Sequence, residues 1–86
     1  MPEISRFYGM RIEMFFLDHG VPHFHVRYGE YTAKIGIETL QLIRGALPRR
    51  AFALATEWAE NHREELLENW RRTQSGQSAY QIDPLP

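Results

Sequence analysis

At 86 residues and a formal net charge of −1, the chain has room for one domain with a single compact core, since a chain this size buries only about 60% of its unfolded surface. A hydrophobic fraction of 43% argues against disorder, and the near-zero net charge argues against non-specific polyanion binding by the molecule as a whole. There is no cysteine, which excludes disulfides and thiolate metal sites.

The longest apolar runs are a few residues, far short of a membrane span, so no membrane partner is expected. The first residues, Met1 to Arg6, lack the apolar stretch of a secretory signal. A cytoplasmic location is the expectation, and the lack of cysteine suits a reducing compartment. Charge is uneven along the chain: residues 1–55 carry a net of +2 and residues 56–86 a net of −3.

In chain order, Ile4 to Tyr8 reads as an extended lead-in. Met10 to Leu17 alternates, with Met10, Ile12, Met14 and Phe16 on one side and Arg11 and Glu13 on the other, the period of a half-buried strand. Asp18-His19-Gly20-Val21-Pro22 is a turn-rich break. His23 to Tyr28 alternates again, placing Phe24, Val26 and Tyr28 on one face and His23, His25 and Arg27 on the other. Gly29-Glu30 suits a two-residue type II′ hairpin turn, glycine first. Tyr31, Ala33, Ile35 and Ile37 continue the core face, and Thr39 to Arg44 reads as a short fourth strand.

Pro48 fits the first turn of a helix running to about Gln74, stopped near Gly76. Its apolar stripe comprises Phe52, Ala55, Ala59, His62, Leu66 and Trp70, widened by Trp58 and Leu67. Residues 77–86 form a tail that packs back or frays. The expected fold is one α+β domain spanning residues 1–86. A strand-rich part (1–46) forms an antiparallel sheet of three to four strands, and one long C-terminal helix (about 48–74) packs on one face.

Three of the four histidines fall within Asp18–His25. The hairpin register puts His25 opposite Lys34 and Arg27 opposite Thr32, and Glu13 belongs beside His25 or Arg27. The open face is therefore expected to carry Glu13, His23, His25, Arg27 and Lys34 together. This mixture suits general acid–base chemistry at His23 or His25, aided by Glu13, Arg27 and Lys34. No cofactor is expected, but the mixture also suits a divalent metal such as zinc held by His19, His23 and His25. A solvent-facing strand whose histidines merely bond to neighbours fits equally well. His62, on the helix stripe, reads as a packed core histidine.

Arg44, Arg49 and Arg50 flank the start of the helix, where cations oppose the dipole and no Ser, Thr, Asp or Asn serves as cap. They are candidates for binding an anion, such as an RNA phosphate or a partner's carboxylate. The plain alternative is arginines pointing into water. The glutamates of the helix read as a solvated face.

The stretch Phe15–Tyr28 (FFLDHGVPHFHVRY), then Leu47–Ala51, Glu57–Ala59 and His62–Leu66, resembles the small bacterial domain-of-unknown-function family 4160 over nearly the whole chain. The family's central motif is Pro-Pro-His-Phe-His-Val. Val21 replaces its first proline here, while Pro22, His23, Phe24, His25 and Val26 stand in place. The resemblance implies a bacterial, cytoplasmic, single-domain protein, often encoded beside another small protein in a toxin–antitoxin-like pair. It brings no activity with it and assigns no catalytic role. The leading expectation is a protein-partner-binding module; the rivals are a small RNA-cleaving toxin-type enzyme using His23 and His25, and a His-based metal-binding regulator. The sequence leaves a homodimer open.

Overall fold

The computed structural model describes residues 2–86. Five strands form one sheet: β1 (Glu3–Phe7), β2 (Met10–Glu13), β3 (His23–Tyr28), β4 (Tyr31–Gly36) and β5 (Leu42–Gly45). They pair in sequence order, each antiparallel to its neighbour. Two helices follow, α1 (Arg49–Asn61) and α2 (Arg63–Gln74). The α+β class and the helical cover on one face are as expected, but the sheet has five strands rather than three to four.

The extra strand is β1, expected only as a lead-in. It turns back into β2 through Tyr8-Gly9, both at positive φ (50° and 80°), with Phe7 opposite Met10. That is the geometry of a type I′ hairpin, which is usually signalled by Asn-Gly. β2 ends at Glu13, four residues before the expected Leu17, and Phe16 is exposed rather than in the core. Gly29 has φ of 57° in the expected Gly29-Glu30 turn, and β3 and β4 pair in the expected register. β5 lies one edge outward on β4, beginning at Leu42 rather than Thr39. Gly45 is required there: at φ 84°, an added Cβ would sit 2.1 Å from the Thr32 carbonyl oxygen.

The single long helix is also corrected. A continuous helix over residues 48–74 would measure roughly 40 Å at 1.5 Å per residue, whereas the longest dimension of the molecule is 33 Å. The chain breaks at His62 (φ −123°), leaving helices of 13 and 12 residues that both fit. Asn61 and His62 are weak helix formers, and the His62 ring pairs with Glu65 in the first turn of α2.

The core lies between the helices and one face of the sheet. Ile12, Phe24, Val26 and Ile35 meet Ala55, Trp58, Ala59 and Leu66, all fully buried. The tail packs back. Ile82 is buried and its N–H donates to the Ile4 carbonyl, Trp58 Nε1 donates to the Asp83 carbonyl, and Asn69 makes two bonds with the Tyr80 backbone. It thus straps β1 to both helices. Among the described residues, no helix is long and apolar enough to cross a membrane.

Candidate functional site

Two rows of side chains cross the face of the sheet away from the core. In one, register sets Arg6 opposite Arg11, Arg11 opposite Arg27, and Arg27 opposite Thr32. In the next, Glu3, Glu13, His25, Lys34 and Arg44 follow one another across all five strands. Glu13 is therefore beside His25, one of its two expected positions.

Arg6–Arg11, Arg11–Arg27, Lys34–Arg44 and, with the opposite sign, Glu3–Glu13 are like charges in direct cross-strand register, an arrangement that destabilises a sheet. Glu3 answers part of the charge, at 2.8 Å from Arg6 and 3.2 Å from Arg11. The hydrogen bond from Arg6 is the main force holding the Glu3 carboxyl below its usual range. Among the described residues, Arg27, Lys34 and Arg44 form no ion pair. Two hollows open on this face. One of about 560 Å³ is bordered by Arg6, Arg11 and Arg27, and one of about 300 Å³ by Asp18, His25, Thr32, Lys34 and Arg44.

The expected cluster of Glu13, His23, His25, Arg27 and Lys34 on one open face is realised only in part. His23 is 1% exposed, because α2 reaches the start of β3 and Trp70 lays its ring 5.0 Å from the imidazole. Glu13 is also buried, at 5%. His25, Lys34 and Arg27 retain access to solvent.

A tighter group forms around Asp18. Its Oδ2 lies 2.9 Å from His23 Nε2 and 3.0 Å from His25 Nε2, while the His19 backbone N–H donates to Oδ1 at 2.8 Å. His23 Nδ1 lies 2.8 Å from the Val21 carbonyl, an acceptor only, so Nδ1 carries a proton. Burial pushes the Asp18 carboxyl up. The bonds from His25, the His19 N–H and His23, with the charge of His23, outweigh it and hold the pKa at about 2.

Helix α2 positions this group. The Leu17 N–H donates to the Thr73 carbonyl at the end of α2, which also accepts from the Gly76 N–H, and Gln74 Nε2 donates to the Asp18 carbonyl. Phe15 places its ring edge-on to His25 at 4.7 Å. Reading the sequence missed Asp18 as a site residue. The signal available was a carboxylate in the turn five residues before His23, overshadowed by the neighbouring His19. His19 is exposed and outside the group.

The three arginines near the helix start are divided. Arg44 borders the hollow beside His25, Arg50 borders a separate hollow of about 200 Å³ with Tyr8, Tyr28 and Leu54, and Arg49 is exposed. The α1 N-terminus has no side-chain cap and no acidic residue in its first turn, as expected. His62 is half-buried against Trp58.

The family model for a domain of unknown function, DUF4160, matches residues 9–71. The chain belongs to this family. The matched span takes in the Asp18–His25 group, strands β2 to β5, α1 and most of α2; β1 and the tail lie outside it. No curated protein and no solved structure matches the DUF4160 chain.

Proposed function

We propose that this DUF4160 domain is a binding module that receives an acidic segment of a small partner protein on its open sheet face, as one half of a toxin–antitoxin-like pair in the bacterial cytoplasm. The observation that carries this reading is the basic cross-strand register: Arg6–Arg11 is bridged by Glu3, while Arg11–Arg27 and Lys34–Arg44 stand opposite each other with no carboxylate shared between them. Departures from local stability rules concentrate where a surface serves binding. A carboxylate-rich partner relieves both repulsions at once and fits the net +2 of residues 1–55.

The test is co-expression with the small protein encoded beside it, followed by size-exclusion chromatography at rising salt. The expected result is a defined complex that dissociates as salt screens the arginines. Two independent monomers at low salt and micromolar concentration would overturn it.

A second reading, an RNA-cleaving enzyme, draws on the hollow bordered by His25, Lys34 and Arg44. There the His25 ring would move the proton while Lys34 and Arg44 hold phosphate. It predicts growth arrest on induced expression and loss of arrest in His25→Ala. Intact RNA after incubation with the purified chain, with and without divalent metals, would dismiss it.

A further inference from the structure

The Asp18 group does something the basic rows do not require. We infer that Asp18 Oδ2, His23 Nε2 and His25 Nε2 form a mononuclear site for a divalent cation of the zinc class, whose remaining coordination position faces the hollow lined by Lys34 and Arg44. The inference goes beyond partner binding and stands without it.

Four observations converge on it. First, the three donor atoms lie within 4.8 Å of one another and present two imidazoles and one carboxylate, a donor set suited to zinc with a fourth position left open. Tetrahedral bonds of about 2.0–2.1 Å space ligand atoms by roughly 3.3 Å. The two separations from Asp18 Oδ2, 2.9 and 3.0 Å, reach that by opening a few tenths of an ångström, and the two imidazole nitrogens, within 4.8 Å of each other, adjust about the cation.

Second, the orientation of the His23 ring is set in advance. His23 donates Nδ1–H to the Val21 carbonyl, so in the neutral ring the lone pair is on Nε2, the atom turned toward Asp18 and His25. Metal-bound histidines nearly always donate their other ring N–H in this way, which fixes tautomer and aim together. Third, Asp18 is divided in function. Oδ1 is taken by the His19 N–H, leaving Oδ2 to face both imidazoles.

Fourth, the surroundings hold the group in place. Trp70 packs on the His23 ring and Phe15 on that of His25, and the loop carrying Asp18 is bonded to the last residues of α2 through Leu17 and Gln74. Such support keeps ligand rotamers near a productive geometry before the cation arrives. Lys34 and Arg44 oppose the cation electrostatically and would draw an oxyanion to its open position. The ligand set also separates this site from one built on the three histidines of the turn, since His19 is outside it.

The test uses the untagged full-length chain, stripped with a chelator and titrated calorimetrically with zinc, with cobalt(II) as the spectroscopic probe of coordination. One equivalent is expected to bind, with cobalt absorption typical of a four-coordinate nitrogen and oxygen site. His23 is buried, so its replacement risks the fold; the decisive variants are His25→Ala and Asp18→Asn, each checked for native circular dichroism. Each should weaken binding on the order of 100-fold or more, since each removes one of three ligands, while His19→Ala binds as the wild type does. Failure to bind one equivalent, unchanged affinity in folded His25→Ala, or equal loss in His19→Ala would overturn the assignment. A metal-binding chain that forms no complex with its neighbour-encoded protein would leave this inference standing and the partner reading refuted.

Discussion

On the covered face of the sheet, Ile12 lies opposite Val26 and Phe24 opposite Ile35, each fully buried under the helices. On the open face, one residue away along the same strands, Arg11 lies opposite Arg27 and Lys34 opposite Arg44. The first set gains burial free energy of roughly 25 cal/mol per Å² of apolar surface. The second set works against the sheet. A domain of 86 residues has little stability to spare, so charges held in mutual repulsion point to a use outside folding. The Asp18 group joins the two regimes: His23 is buried like the core, and His25, two residues on, opens to the hollow.

The two faces of the sheet should respond differently to substitution. The largest effect is expected from Trp58→Ala, which removes a fully buried ring that meets Phe7 and Phe24 and bonds to the tail. Urea unfolding should show a loss of about 3–5 kcal/mol, enough to unfold much of the population. A loss under about 1 kcal/mol would mean that the covered face is not the source of stability.

His23→Ala and His25→Ala sharpen the contrast within one strand. Loss of the buried His23 ring strands the Val21 carbonyl and leaves a void beneath Trp70, at about 2–4 kcal/mol. His25→Ala, partly solvated, should lose about 1 kcal/mol or less. Equal losses would contradict the burial difference.

Asp18 supplies a pH test in metal-free protein. Its folded pKa is depressed, to about 2 from 3.8, so its contribution is fully present above the unfolded value. It is lost as pH falls from about 4 through about 2, and amounts to about 2 kcal/mol. Stability measured between pH 6 and pH 2 should decline in the wild type with a component that Asp18→Asn lacks. Parallel curves for the two proteins would refute the assigned bonds.

Much of the sheet was legible because local chemistry and pattern agreed. Gly29-Glu30 named its turn, and the turn set the pairing of His25 with Lys34. β1 escaped because Tyr8 occupies a positive-φ position that tyrosine seldom takes, so Tyr8-Gly9 did not read as a hairpin. The helix break escaped because Asn61-His62 contains neither proline nor glycine, and the pairing of the His62 ring with Glu65 at the start of α2 leaves no mark in the apolar pattern. At the site, period-two alternation correctly put His23 and His25 on one side of β3 and wrongly left His23 in solvent. The position of Trp70 over His23 is a tertiary fact, set by where α2 begins after the break. Asp18 could not be preferred to His19 from spacing alone, since the loop's anchorage to Thr73 and Gln74 decides which side chain turns inward.

The smallest stability effect bears most directly on the central claim, that the open face is kept basic for binding. Arg27→Glu replaces a like-charge contact with an ion pair to Arg11. Its unfolding free energy and its affinity for the proposed acidic partner should be measured side by side. The variant is expected to be more stable by roughly 0.2–1 kcal/mol and to have lost the complex. A variant that is destabilised, or that binds its partner as tightly as the wild type, would contradict it.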